Sequence, residues 1–187
     1  MIDLLFILMC STPGVHPETT AAIIREESGG NEWAIGINEA IDIKKSYNLN
    51  RVKTKAKAQE VAKSLQENDY NFDAGLMQIN SQNFLRMGLT AESVFDPCTN
   101  IKAGTAILKS FYEVASMKIG PGQEALMAAL SAYNTGNHKS GFINGYVNKF
   151  YGKRKLKNNP YRSSIFAVND WPKSKQDPYT SSIEGEK

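Results

Sequence analysis

The side chain best placed for chemistry in this sequence is Glu27, within residues 17–30, which read P-E-T-T-A-A-I-I-R-E-E-S-G-G. Pro17 suits the first position of a helix, where its missing N–H would be unpaired anyway. Gly29 and Gly30 supply the backbone freedom that ends it. At 100° per residue, Ile23, Glu27, Ile24, Ser28 and Ala21 fall on one continuous arc. Glu27 therefore lies inside the apolar stripe, while Glu26 falls at its edge. A carboxylate on a buried face near a helix C-terminus is disfavoured as an anion twice, by desolvation and by the helix dipole. Both effects raise its pKa from an ordinary value of about 4.3. A glutamate that donates a proton at neutral pH needs a value of about 6–7. The position predicts a general acid. The plainer reading is a glutamate that reaches outward or pairs with a Lys or Arg.

Other chemistries lack their parts. Only His16 and His138 are available, and no C-x-x-C or Cys/His cluster exists, so a zinc site has no ligands. No G-x-S-x-G is present, and neither histidine has the setting of a nucleophile's base. The string G-N-H-K-S at 136–140 resembles the end of a phosphate-binding loop. His138 stands where that loop needs glycine, and no strand precedes it. Neither a metal nor a cofactor is expected.

The elements that must position Glu27 are mostly helical. Residues 31–38, N-E-W-A-I-G-I-N, read as a turn with Trp33 and Ile35 to pack, and 39–53 as a loop. Thr54 caps an amphipathic helix carrying Ala58, Val61, Ala62 and Leu65 and ending near Asn68. Residues 71–80, N-F-D-A-G-L-M-Q-I-N, read as an extended turn or loop, in which Asp73 is a turn residue or a second carboxylate. Ser81 caps a short helix closed by Gly88. Asp96-Pro97 opens the longest helix, with Ile101, Gly104, Thr105, Leu108, Tyr112 and Ala115 on its inner face. Gly-Pro-Gly at 120–122 leads into an Ala-rich helix through Tyr133, and a final helix is predicted to run to about Tyr151. The apolar start M-I-D-L-L-F-I-L-M-C reads as a core helix; it is too short to span a bilayer and lacks the basic start of a signal peptide.

At 187 residues the chain can bury a sizeable core, and 41% apolar with 22% charged residues excludes disorder of the whole. A net charge of +3 is too weak to argue for nucleic acid but suits an anionic polymer such as a cell wall. Residues 1–151 are expected to form one domain and 152–187 a basic, polar, mobile tail. Lys149, Lys153, Arg154, Lys155 and Lys157, with no acid among them, read as a solvated surface or a contact for anionic wall or partner proteins. Cys10 and Cys98 permit either a disulfide or two buried thiols.

Three ordered blocks then carry a resemblance: I-I-R-E-E-S at 23–28, G-L-M-Q-I-N at 75–80 and A-Y-N-T-G at 132–136. They resemble the motifs of lytic transglycosylases with the goose-type lysozyme fold. V-H-P-E-T, A-I-G-I-N, F-D-P-C-T-N-I-K-A-G and N-G-Y-V look like the subfamily of type IV secretion and conjugation systems. The resemblance covers about residues 8–150. It implies a mainly α, lysozyme-like domain with at most a small β-hairpin.

The resemblance also implies an activity: cleavage of the β-1,4 bond between N-acetylmuramic acid and N-acetylglucosamine, leaving 1,6-anhydromuramoyl ends. Glu27 would be the sole acid/base. Ser28, Gly75, Leu76, Met77, Gln78, Tyr133, Asn134 and Tyr146 would bind or support substrate, with the Tyr133 hydroxyl aimed at Glu27. The plainer reading of Met77, Tyr133 and Tyr146 is core packing. A Cys10–Cys98 disulfide and the periplasm are implied likewise. So are peptidoglycan strands and secretion components as partners, with no nucleic acid and no stable membrane insertion. Two alternatives remain: a goose-type lysozyme using water, for which Asp73 would be the base, and an idle wall-binding assembly module.

Overall fold

The structure is a computed structural model that describes residues 2–155, with side chains to Tyr151. It is mainly helical, and the chain divides into two compact units, Met1–Lys109 and Ser110–Lys187.

In the first unit, α1 (Leu4–Cys10) packs on α2 (Pro17–Ser28). Only Ile7 and Cys10 of α1 are buried, whereas Leu5, Leu8 and Met9 are exposed. The expected core helix is thus a helix buried along one face. Its last residue is bridged to Cys98 by a disulfide with the Cα atoms 4.9 Å apart. The Thr12 N–H, just beyond α1, donates to Thr105 Oγ1 at 2.9 Å.

A three-stranded antiparallel sheet follows, in the order β1 (Ile35–Ile37), β2 (Phe72–Ala74), β3 (Ile79–Asn80). Residues expected as turns therefore pair, and the hairpin β2–β3 gains a third strand from 35 residues upstream. Strand alternation sorts the side chains. Phe72 and Ala74 point into the core, while Gly36, Asp73 and Asn80 stand in one row on the opposite face.

Between β1 and β2, the expected loop contains an exposed helix, α3 (Ile41–Ser46), and a 3-10 turn, Leu49–Arg51. Then comes α4 (Lys55–Glu67), capped by Thr54 as predicted and burying Ala58, Ala62 and Leu65. After β3, the cap is Asn80 rather than Ser81: its side chain accepts from Gln82 N–H. A 3-10 turn, Ser81–Asn83, leads into α5 (Phe84–Met87), which Gly88 ends at φ 64°. Asp96 accepts from Thr99 N–H at 2.8 Å and opens α6 (Pro97–Ile119), whose C-terminal half belongs to the second unit.

In the second unit, α7 (Gln123–Thr135) packs closely through Ala125 and Ala128 against Ala115, with Tyr112 and Ile119 beside them. The predicted final helix is broken into α8 (Ser140–Ile143) and α9 (Asn148–Lys155). Gly145 between them takes φ 84°, a conformation that glycine adopts without penalty and that ends the helical path. The tail expected over 152–187 lies outside the described residues, apart from the backbone of the end of α9. Among the described residues, no helix is long and apolar enough to cross a membrane.

Candidate functional site

Glu27 is the penultimate residue of α2 and is half-buried, one turn above the buried Ile23 and Ile24. His16 caps the start of that helix, its Nδ1 accepting from Glu18 N–H at 3.3 Å, and Pro17 occupies its first turn. Gly29 ends it at φ 63°. Glu26 lies 4.0 Å from Arg25 Nε. Ser28 is spent on the helix end: its hydroxyl donates to Ile24 O at 3.1 Å and accepts from Gly30 N–H at 3.2 Å.

The chain leaving Glu27 is tied to the G-L-M-Q segment. Asn31 N–H donates to Ser28 O and Ala34 N–H to Asn31 O, closing the turn that feeds β1. The Ala34 carbonyl then accepts twice, from Gly75 N–H at 2.9 Å and from Gln78 Nε2 at 3.1 Å. Gln78 Nε2 also donates to Gly75 O at 2.9 Å, so both amide hydrogens are committed. Gln78 sits at φ 45°, outside the glycine positions where such a value is common. Leu76 and Met77 are buried, and Met77 packs on Gly104 of α6.

What holds this loop is Asn100, on the first turn of α6 and buried to 1% exposure. Its Oδ1 accepts from Met77 N–H at 2.8 Å, and its Nδ2 donates to Ala74 O at 3.0 Å and Val94 O at 2.8 Å. Gly75, at φ 79°, has no room for a side chain because Asn100 Nδ2 and the Val94 carbonyl occupy the space. Asn100 was not a site candidate on sequence grounds. Its signal was there: an amide four residues before Gly104, on the apolar stripe of the longest helix.

On the outer face of the sheet, Asp73 is the centre of a closed amide ring. Asn38 Nδ2 donates to Asp73 Oδ2 at 2.7 Å and to Asn71 Oδ1 at 3.0 Å. Asn80 Nδ2 donates to Asp73 Oδ1 at 2.9 Å and to Asn71 Oδ1 at 2.7 Å. Burial pushes the Asp73 carboxyl above its ordinary value, and the two asparagine hydrogen bonds pull partly against that. Asp73 is a mid-strand residue, not the turn residue its loop-like surroundings suggested.

The second unit holds the remaining candidates. Tyr133 and Asn134 lie on the last turn of α7, which Gly136 ends at φ 73°. Tyr133 is half-buried and Asn134 exposed. Asn134 Oδ1 accepts from Asn144 Nδ2 at 3.0 Å, and Asn144 Oδ1 accepts from Tyr146 N–H at 2.9 Å. Asn134 and Tyr146 are thereby linked through one asparagine. Tyr146 is 5% exposed, its ring 5.2 Å from that of Phe150. His138 is buried against Phe111, with Nε2 3.2 Å from the Phe111 carbonyl oxygen. It is a packed side chain, in keeping with the rejection of a phosphate loop at 136–140.

Thus Gly75, Leu76, Met77 and Gln78 are tied to the turn that follows Glu27 and Ser28, and Asn134 and Tyr146 to each other. Comparison with known proteins gives this arrangement a family. The chain is 38% identical over 144 residues to the type IV secretion system protein virB1 of Brucella suis and of Brucella abortus, covering 76% of this chain and 58% of theirs. It is 37% identical over 137 residues to the protein virB1 of Agrobacterium fabrum, covering 73% of this chain and 53% of that one. The chain therefore spans little more than half the length of these relatives. No solved structure matches it significantly. The model of the transglycosylase SLT domain matches residues 5–158, which take in the Glu27 helix, the Gly75–Gln78 loop and the end of α7, and the chain belongs to that family.

Proposed function

We propose that the protein is a peptidoglycan lytic transglycosylase that opens the cell wall locally for a type IV secretion or conjugation machine. The observation that carries this reading is a half-buried Glu27 at a helix end, with the Gly75–Gln78 loop held on the Ala34 carbonyl seven residues further along the chain. Membership of the transglycosylase SLT family supports the reaction class, and the likeness to virB1 proteins supports the setting. The Cys10–Cys98 disulfide suits an oxidising compartment such as the periplasm.

In this mechanism Glu27, protonated, donates to the glycosidic oxygen between N-acetylmuramic acid and N-acetylglucosamine as the C1–O bond breaks. The muramic O6 then attacks C1, and its hydroxyl proton passes to the Glu27 carboxylate. The products are a 1,6-anhydromuramoyl end and a free 4-hydroxyl; no water is consumed, and Glu27 regains its proton. One carboxyl suffices, because the nucleophile belongs to the substrate.

A second reading is favoured by one observation. Asp73, two residues before Gly75, is a second carboxylate whose pKa burial raises, the kind of group a lysozyme uses as a base for water. Mass spectrometry of muropeptides released from purified sacculi separates the two, since anhydro and reducing ends differ by one water. The expected result is anhydro products, lowered about 10²–10⁴-fold by Glu27→Gln and left almost untouched by Glu26→Gln. Asp73→Asn should leave product identity anhydro. Reducing ends that vanish in Asp73→Asn would establish the hydrolase, and Glu27→Gln turnover within about twofold of wild type would sink the acid/base assignment.

A further inference from the structure

The outward row Gly36, Asp73, Asn80 has a gap at its first position. Gly36 stands directly opposite Asp73, and its φ is not in the left-handed region, so its backbone conformation does not call for glycine. The surroundings do. A methyl group on Gly36 would lie 3.1 Å from Gln78 Oε1, with Asp73 Cβ at 3.8 Å and Asp73 Oδ2 at 3.9 Å. Two oxygen acceptors converge on the volume the glycine leaves empty.

Neither acceptor is free to turn away. The Gln78 amide is oriented by its two donations, to Ala34 O and Gly75 O, which leaves Oε1 directed over Gly36. Among the described residues no donor reaches Oε1. The φ of 45° at Gln78 is a conformation costly to a residue with a side chain, and it persists only where the surroundings over-determine it. Asp73 is clamped by one asparagine on each oxygen, and a carboxylate oxygen with one donor can accept a second. Acceptors fixed from behind and open in front are suited to receive hydrogen-bond donors.

We propose that Gly36 is a specificity-determining residue: it keeps open a subsite in which Gln78 Oε1 and Asp73 Oδ2 accept hydrogen bonds from the hydroxyl or acetamido N–H groups of one sugar ring. The inference rests on the glycan-cleaving reading above. Gly36 acts by what it leaves out, since any side chain there meets Gln78 Oε1 before a ligand can. A packing role alone would make Gly36→Ala unstable without altering affinity.

The test uses the full chain carrying Glu27→Gln, so that ligand survives, labelled with nitrogen-15. It is titrated with a tetrasaccharide of alternating N-acetylglucosamine and N-acetylmuramic acid, and separately with cellotetraose, which has hydroxyls but no acetamido group. The Gly36 backbone amide and Gln78 side-chain amide signals should shift with the first ligand. Adding Gly36→Ala should weaken binding about tenfold, equivalent to ~1.4 kcal/mol and to one well-made hydrogen bond, with the thermal midpoint unchanged. The same loss with cellotetraose assigns the donor as hydroxyl; loss confined to the N-acetylated ligand assigns it as amide; both support the subsite. Undiminished binding in Gly36→Ala overturns it. So do Gly36 and Gln78 signals that stay still while others move, and this holds even if the alanine variant does not fold. In either case anhydro-muropeptide release by the wild-type chain would leave the enzymatic reading standing. Absence of both binding and release would remove the two together.

Discussion

Asn100→Ala tests what holds the Gly75–Gln78 loop. Asn100 makes three hydrogen bonds, to Met77 N–H, Ala74 O and Val94 O, and all four residues are at most 1% exposed. Each bond contributes about 1 kcal/mol net, and an orphaned buried partner costs about 1–3 kcal/mol. Against this, alanine gains at most about 0.7 kcal/mol of helix propensity. The balance is a loss of roughly 3 kcal/mol, a large part of the ~5–15 kcal/mol that stabilises an ordinary domain. Urea unfolding followed by circular dichroism measures it.

Asn100→Asp sharpens the test, because shape is kept while two donated N–H groups become an oxygen facing two carbonyls. It should cost at least as much as alanine at neutral pH. A buried aspartate there has its folded pKa raised above the unfolded ~3.9. The part of its penalty due to charge is therefore absent below the unfolded pKa and grows as pH rises through the folded one. The deficit should shrink on acidification without vanishing, because a protonated carboxyl has one O–H for two carbonyls. Asn100→Ala within about 0.5 kcal/mol of wild type, or Asn100→Asp as stable as wild type at neutral pH, would refute the clamp.

Other outcomes follow from the same geometry. Reduction of Cys10–Cys98, 88 residues apart, should cost about 4–5 kcal/mol by chain entropy; two titratable thiols in non-reduced, denatured protein would refute the bridge. Gly104→Ala would bring a Cβ to 2.5 Å from Met77 Sδ. Overpacking of about 1–3 kcal/mol should then outweigh the ~1 kcal/mol of helix propensity gained, and a raised thermal midpoint would contradict it. Because burial raises the Asp73 carboxyl above its ordinary value, its stabilising contribution is complete below that ordinary value and lost as pH rises through the folded pKa. The stability of wild type relative to Asp73→Asn should therefore fall as pH rises above the ordinary carboxylate range in urea unfolding, and a difference that rises with pH would reverse the sign.

The long helices were legible in the sequence because their signals are local. Pro17 and Gly29 bound α2, Thr54 caps α4, and Asp96-Pro97 opens α6, each within one turn of the residues it controls. Glu27's place at the end of α2, beside buried isoleucines, follows from the helical period alone. The three motifs also stood in plain order along the chain, which made the family readable before any contact was known.

Only the tertiary structure decided the rest. Strands of two or three residues are too short to show alternation, and β1 meets β2 across 35 residues, so their pairing exists only once the chain has folded. The same holds for Asp73, whose environment comes from Asn38, just beyond β1, and Asn80 on β3. It holds for Gly36, whose meaning lies in the Gln78 oxygen above it, and for Gly141 of α8, which has no room for a side chain against Ser131 of α7. Sequence spacing determines which side chains share a helix face, because that period is built into the backbone. It cannot determine which amide will stand opposite which carboxylate, because that depends on where distant segments pack.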